Sequence, residues 1–589
     1  MSPLFLRRPF WPSILLCVLL ASDGFAQTAS QVTPPTARPE PPRTVTPVAI
    51  PQLSGPELPE GAASLTVRLS AVEIDGGAVR GNPTIEEARR GISNALSRKT
   101  VTVGEIFAAA QALEAAYGRA GYVLNRVAVP AQTLEDDGTL RVVVIEGFIE
   151  RLETQNVPLR VRSRIEALLG ALIGQRPVQL SVIERALMLA GDTPGTELRS
   201  TLAQGEKPDG SVLILEARHQ AVTGSLSMDN ASGAALGSVA TAALQINSAL
   251  GLGEQIYLQA SGYPDPSGSR GFFGGRPTNR QLAIGAVAPL WLDGLTANVE
   301  FMRSDSAPNP VANQGFYSSF QRLSARLAYD HVRSRSFNLS TQIAFDAQEE
   351  MLYALTPVET GLSLDRLRVL RGTANLSGST PWNGYGAIQI TGSLGLDVLG
   401  ARNAASATAL LPLSRQGADA TFQKLEASLQ MHQPLGTGFF LDLYARGQTS
   451  FGKPLPRAEQ MGLVSPTALS AFDAGAFQGD SAIAARAEVS FIHQRGLGGI
   501  TATVAPYLFG SVGKIWLMQP TAVEQAATTA GSYGIGLRIG AAPHPQHRGS
   551  GGFTGLIDQA TFTLELGRQY RNDGLPPGHR LSVSGAIRF

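Results

Sequence analysis

Ala560-Thr561-Phe562-Thr563-Leu564-Glu565-Leu566 places an apolar residue at every second position, and Leu581-Ser582-Val583-Ser584-Gly585-Ala586-Ile587-Arg588-Phe589 does the same up to a terminal aromatic. Successive side chains of a β-strand point to opposite faces, so each segment has one apolar face and one polar face. The texture recurs upstream: Ala485, Ala487, Val489 and Phe491 alternate with Arg486, Glu488 and Ser490, and Leu441, Leu443 and Ala445 alternate with Asp442, Tyr444 and Arg446. From residue 219 to 589 such segments follow one another, separated by Gly, Asn, Asp and Pro turns, with no helical pattern between them. In a membrane barrel the apolar face meets lipid and the polar face lines the lumen. The number of strands and the terminal Phe589, the type of signal read by outer-membrane assembly machinery, decide for the barrel over a soluble sandwich. A tract of about 370 residues at roughly 20 to 25 per strand and loop gives about 16 antiparallel strands, an even number as bacterial barrels require. Asp229, Asp442, Arg446, Arg486 and Glu488 then sit at membrane depth and face a wet lumen, as lining and strand-pairing charges.

The opposite end of the chain has a different character. Residues 11–21 are apolar, follow Arg7 and Arg8, and precede Gly24-Phe25-Ala26, which predicts a secretory signal peptide over 1–26, cut after Ala26. Cys17, the one cysteine among 589 residues, lies inside it behind Leu16, so neither disulfides nor thiolate metal sites are expected. Prolines crowd residues 27–63, including Pro34-Pro35, Pro39, Pro41-Pro42, Pro47, Pro51 and Pro59, which predicts an extended linker without a helix. The net charge of +1 offers no electrostatic footprint for nucleic acid.

Between linker and barrel, residues 64–147 and 148–218 repeat one small α+β plan. The first copy opens on an alternating strand (Leu65, Val67, Leu69) and carries a helix announced by a capping box, Thr102 with Glu105. Ile106, Ala110, Leu113 and Tyr117 share one face of that helix, which stops at Gly121, and strands follow over 123–129 and 140–145. The second copy has a strand over 149–152, a helix bearing Ile165, Leu168, Leu169 and Leu172, a second capping box at Ser181 and Glu184, and strands over 198–202 and 212–215.

Catalytic and metal chemistry finds little purchase. His544-Pro545-Gln546-His547 has no carboxylate or third histidine beside it, and Gly510-Ser511-Val512-Gly513-Lys514 lacks the full spacing of a phosphate loop and lies in a strand. No Gly-x-Ser-x-Gly elbow with a downstream Asp and His occurs, so neither a cofactor, a metal nor an enzymatic activity is expected.

In order and spacing the chain resembles the two-partner secretion transporters, the haemolysin-activator and filamentous-haemagglutinin transporter type, in which two POTRA domains precede a barrel. The first unit is similar through Tyr117, Gly121-Tyr122-Val123-Leu124, Val129-Pro130-Ala131-Gln132 and Glu146-Gly147. The second matches through Gly174-Gln175-Arg176-Pro177 and Pro194-Gly195, and the barrel entrance through Gly224-Ser225-Leu226-Ser227, Asp229-Asn230 and Gly251-Leu252-Gly253-Glu254. The resemblance implies an outer-membrane transporter whose periplasmic POTRA domains catch a large secreted protein with an N-terminal secretion domain, which then threads through the barrel. A POTRA-barrel insertase that assembles other outer-membrane proteins is the alternative architecture, usually with more POTRA units; a passive porin has no need of a periplasmic receptor. Some relatives carry a plug helix where this chain has its proline-rich linker, and none is expected here.

The same resemblance implies a long loop folded back into the pore, tipped by a Val-Arg-Gly-Tyr-like motif whose arginine pairs with the aspartate of a Phe-x-Asp-x-Gly motif on a strand. Here the tip aligns with Leu469-Ser470-Ala471-Phe472 and the strand motif with Phe509-Gly510-Ser511-Val512-Gly513. Both charged partners have become serine, at Ser470 and Ser511. Loss of both is cheaper than loss of one, which would leave an uncompensated buried charge. The expectation is a loop that still enters the lumen, held by Phe472 packing and by neutral hydrogen bonds at Ser470 and Ser511.

Overall fold

Thr102 begins a helix because its hydroxyl accepts from the Glu105 amide while the Glu105 carboxylate accepts from the Thr102 amide, satisfying two donors that a helix start leaves open. In the computed structural model, which describes residues 28–38, 48–49, 62, 64–77, 79, 82–233, 236–265, 268–310, 315–543 and 557–589, this helix belongs to the first of two α+β domains. The expected signal peptide and His544-Pro545-Gln546-His547 lie outside the described residues, as does most of the proline-rich stretch.

The first domain comprises β1 (Thr66–Asp75), α1 (Pro83–Leu96), β2 (Lys99–Thr102), α2 (Val103–Arg119), β3 (Arg126–Ala128) and β4 (Gly138–Ile145), with sheet order β2-β1-β4-β3. Helix α1 is an addition to the sequence reading, although Asn82, whose side chain caps the Ile85 amide, and Pro83 at the first turn are its start signal. The face of α2 that carries Ile106, Ala110, Leu113 and Tyr117 packs on Leu69, Leu140 and Val142 of the sheet, with Ile85 and Ile92 of α1 completing the core.

The second domain comprises β5 (Phe148–Asn156), α3 (Leu159–Leu169), α4 (Leu180–Gly191), β6 (Thr196–Gln204) and β7 (Gly210–His219). Its sheet runs β6-β7-β5, and the short stretch Val48–Ala49 adds a parallel pairing outside β6. The expected capping box at Ser181 and Glu184 does not form. Helix α4 has Gln179 as its N-cap, two residues before Ser181, and no side-chain cap. Glu184 instead reaches a barrel arginine, Arg335, at 3.4 Å.

Sixteen antiparallel strands close the barrel: β8 (Val222–Asp229), β9 (Val239–Asn247), β10 (Gln255–Gly262), β11 (Asn279–Pro289), β12 (Leu295–Ser306), β13 (Phe316–Arg333), β14 (Phe337–Ala354), β15 (Thr360–Ser379), β16 (Tyr385–Gly395), β17 (Gln423–Gly436), β18 (Phe439–Thr449), β19 (Ser481–Phe491 continued by His493–Leu497), β20 (Ile500–Trp516), β21 (Ala527–Pro543), β22 (Gln559–Arg571) and β23 (His579–Arg588). Closure comes from β23 pairing with β8 over five residues, Ser584 opposite Asp229 to Arg588 opposite Ser225. Beyond them Gly224 and Phe589 exchange backbone hydrogen bonds of 2.8 and 3.0 Å. Leu564, Leu566, Ile587 and Leu581 are exposed on the outside, while Glu565, Arg486 and Glu488 on the inside are buried. Closure leaves no unpaired edge in the membrane, the condition for a sheet to survive in lipid.

The second domain is fixed to the barrel mouth through α4. Arg333, at the end of β13, grips Asp192 with two hydrogen bonds of 2.7 Å, and Arg185 donates to the carbonyls of Asp330 and His331 at 2.7 and 3.2 Å. The two α+β domains meet at Gly121-Tyr122: the Leu180 amide donates to the Gly121 carbonyl at 2.8 Å, and Gln179 Nε2 donates to the Tyr122 hydroxyl at 2.9 Å.

Candidate functional site: the pore loop and the filled lumen

Residues 450–480, between β18 and β19, turn back into the lumen. A two-residue ribbon, Met461–Gly462 with Gln478–Gly479, narrows the base of the loop. Beyond it Leu463, Ala468, Leu469, Phe472 and Phe477 form a small apolar cluster against Ala482, Ala484, Ile515 and Ala530 of the wall. Phe472 meets Phe477 edge to face at 4.9 Å between centroids. The wall makes room by having glycine where the loop comes closest. A Cβ on Gly513 would lie 2.8 Å from Leu463 Cδ1, and one on Gly567 would lie 2.7 Å from Ala471 Cβ, both inside van der Waals contact.

At the tip Ser470 enters a charged cluster. Its hydroxyl accepts from Arg486 Nη1 at 2.6 Å and donates to Glu565. Arg486 also binds Glu565 at 2.6 Å and Glu488 at 3.0 Å, and its guanidinium lies 4.0 Å from the Phe509 ring centroid. Arg538 completes the set on Glu488 at 2.5 Å, and the Tyr507 hydroxyl donates to Glu565 at 2.8 Å. Two arginines and two glutamates balance in charge, and every oxygen of both carboxylates has a partner, the condition under which buried ions are tolerated.

This differs at Ser470 from the expectation of neutral hydrogen bonds, because Ser470 binds ions. Ser511 does make a neutral hydrogen bond, to Ser532 at 2.7 Å, but that bond lies within the wall and does not hold the tip. Ser511 is the register partner of Arg486 on the neighbouring strand, so the wall arginine occupies the space between the two serines. In this chain the positive charge stands on the barrel, one strand over from the Phe509-x-Ser511-x-Gly513 motif. Sequence reading had noted Arg486 and Glu488 only as lumen charges; their two-residue spacing on one strand face was the available signal.

The remaining sequence-derived positions lie elsewhere. Gly121, with a positive φ of 90° that suits glycine, and buried Tyr122 form the joint between the α+β domains. Glu146 and Gly147 lead from β4 directly into β5. Phe589 ends the closing strand, its ring against Gly224.

The lumen has a second occupant. Thr28–Arg38 was expected to belong to a linker outside the barrel; instead it lies within it, as a single 3-10 turn at Ser30–Val32 followed by extended chain. The amides of Ala29 and Ser30 donate to Ser318 and Glu350 at 3.1 and 2.9 Å, and that of Ala37 to Glu300 at 2.9 Å. The carbonyls of Val32, Pro34 and Pro35 accept from Gln281, Arg322 and Arg326 at 2.7, 2.9 and 3.2 Å. A proline-rich segment cannot satisfy its own backbone, and side chains of β11 to β14 do so for it. Gln31 touches the pore loop at Gln478, 2.6 Å away, so the two occupants meet.

Known proteins match this architecture. Residues 69–147 match the POTRA domain of ShlB type, and residues 209–539 match the haemolysin secretion/activation protein family ShlB/FhaC/HecB. No curated protein sequence matches the chain. Among solved structures, CdiB from Escherichia coli is 18% identical with a TM-score of 0.68, covering 91% of this chain and 92% of its own. CdiB from Acinetobacter baumannii is 14% identical with a TM-score of 0.58, covering 89% and 90%. The fold is shared at that distance, and the family match spans more than half of the sequence. A closed barrel with a loop and a POTRA pair in this order is thus accounted for: the chain belongs to the haemolysin secretion/activation family ShlB/FhaC/HecB, the two-partner secretion transporters of the outer membrane, with its POTRA domains on the periplasmic side.

Proposed function

We propose that the chain exports a large secreted protein bearing an N-terminal secretion domain, that the POTRA pair receives it in an unfolded state, and that it threads past the loop tip and the N-terminal segment. The observation that supports this reading is how the lumen is filled. Gln281, Glu300, Ser318, Arg322, Arg326 and Glu350 bind the backbone amides and carbonyls of an extended segment, which are the groups every unfolded polypeptide offers. Hydroxyls of Ser30, Thr33 and Thr36 add side-chain contacts to Glu350, Ser304 and Glu300, but the backbone contacts are ones that any passing chain could make in turn. The role is transport and not catalysis; folding of the cargo outside supplies direction. Outer-membrane lipid covers the apolar exterior, and assembly machinery reads the strand ending in Phe589.

Deleting residues 64–217 tests the receptor role. Secretion should be abolished while a folded, heat-modifiable barrel persists in the membrane. Continued secretion by that variant would show that the POTRA pair is not the receptor.

A further inference from the structure

On the lipid-facing side of β12 to β15 the side chains change character within two register rows. Val299, Ala325, Phe345 and Leu370 are register partners across the four strands and form an apolar row. The next row towards the extracellular end is Phe301, Leu323, Ala347 and Arg368, and the one beyond it is Arg303, Gln321, Glu349 and Arg366. Arg333, which holds the second POTRA domain, stands at the opposite end of this ladder. The arginines therefore lie at the level of the extracellular leaflet. An arginine facing lipid is destabilising at the bilayer midplane and tolerated near the interfaces, where headgroups reach it.

These cations are short of partners within the protein. Arg303 lies 3.5 Å from Asp305, a carboxylate that Arg280 already grips at 2.7 Å. Arg366 binds Glu349 at 2.6 Å. Arg368 donates to the backbone carbonyls of Leu367 and Leu399, at 2.8 and 3.2 Å, and no carboxylate is within ion-pair distance of it among the described residues. With Arg280 neutralising Asp305, three arginines against Glu349 leave an excess of two positive charges. The contact with Leu399 also sets Arg368 beside an extracellular loop whose Val398 and Leu399 are exposed, Leu399 by 73%. Apolar side chains beside unpaired cations match a ligand that carries both phosphate and acyl chains.

We propose that this face of β12 to β15 binds a bisphosphorylated, multiply acylated glycolipid of the outer leaflet, the lipid A part of lipopolysaccharide. Arg303 and Arg366 are three strand spacings apart, roughly 14 Å, a span that suits one ligand with two separated phosphates. Guanidinium groups bind phosphate through paired N–H donors. Arg366 and Arg368, two positions apart on one strand face, take one phosphate and Arg303 takes the other. The acyl chains run down Leu323, Phe345 and Leu370 towards mid-membrane, and Val398 and Leu399 cover them from the loop. The site depends on the barrel lying in the outer membrane and not on what its lumen carries.

The test titrates the full-length protein in detergent micelles with bisphosphoryl lipid A, its monophosphoryl form and cardiolipin, and reads bound lipid by native mass spectrometry. The wild-type protein should bind bisphosphoryl lipid A about tenfold more tightly than either of the others, the scale of one charge-assisted hydrogen bond. Arg303→Gln should remove the preference for the second phosphate. Arg366→Gln with Arg368→Gln should weaken both forms of lipid A by about tenfold or more, and lysine at the same two positions should restore part of the binding. Equal wild-type affinity for cardiolipin would mean that the surface collects any anionic lipid. Undiminished lipid A binding after all three arginines become glutamine would place the lipid elsewhere. Either result overturns the inference, and the first is read without any substitution, so a variant that fails to assemble does not block the test.

Discussion

Arg486 donates to Ser470 across 2.6 Å, so the pore-loop tip is held by a charge that resides on the barrel wall. The arginine is fully buried between Glu565 and Glu488. Ser470→Arg would bring a second cation into this cluster, and Arg486→Ser would leave two buried carboxylates short of a partner, a loss of about 3–5 kcal/mol for a broken buried pair. Each single change should lower the heat-modification temperature of the barrel. Ser470→Arg combined with Arg486→Ser returns the charge to the loop and should recover much of the loss. Additive defects would show that the two positions do not share one site.

Gly567 receives Ala471 with no room for a side chain. Gly567→Leu should push the tip out of its notch without disturbing the outer surface. Single-channel conductance in planar bilayers should rise in mean level or open time, and protease should gain access to residues 450–480. Wild-type conductance in this variant would mean that the tip is not seated there.

Asp192 and Arg333 tie the second POTRA domain to the barrel. Asp192→Ala removes both charge-assisted hydrogen bonds from an arginine with only 6% of its side chain exposed, at a cost of about 3 kcal/mol. The POTRA pair should become mobile relative to the barrel while each part keeps its own melting behaviour. Distance distributions between spin labels on α4 and on the β9–β10 turn should broaden; an unchanged width would count against this mount.

Acidification should lower the stability of the fold around the last residue of β7. Burial holds His219, the last residue of β7, below the usual imidazole value, opposed in part by hydrogen bonds with Asn247 and Gly195. The neutral ring is thus favoured in the folded state, whereas the unfolded chain takes up its proton near the ordinary value of about 6.5. As pH falls through that value the unfolded state binds more protons, and stability declines towards acid. His219→Gln should flatten this part of the profile of melting temperature between pH 7 and pH 5. A profile of unchanged slope would place the effect elsewhere.

Removing Thr28–Arg38 should open the lumen further. Glu300 and Glu350 lose the amides they bind, yet both gain access to water, so the barrel should remain folded and conductance should increase. Conductance equal to that of the full chain would mean that the segment does not obstruct flow.

The barrel was legible because period-two alternation needs no knowledge of distant residues: Glu565 between Leu564 and Leu566 already states which face is wet. The face of α2 was legible for the same local reason, as was its capping box. Helix α1 could have been read from Asn82-Pro83, a start signal overlooked beside the stronger box at Thr102. Other features depend on partners far away in sequence. Thr28–Arg38 looks like a linker on composition, and only the carboxylates of β12 and β14 with the arginines of β13 make the lumen its place. Ser181 and Glu184 have the right spacing for a cap, but Arg335, on the barrel, competes for the glutamate. The role of Arg486 required knowing that Ser470, sixteen positions earlier, returns to lie against it.

The attachment of α4 to the hairpin of β13 and β14 has a mechanical meaning. Those two strands are zipped over seventeen register pairs, whereas β23 and β8 share five. Tension applied by cargo to the receptor therefore enters the wall at one of its strongest ladders, several strands away from the thinnest. Pulled from α4 in a single-molecule force experiment, the molecule should shed its receptor before it unzips, and the membrane would keep an intact cylinder.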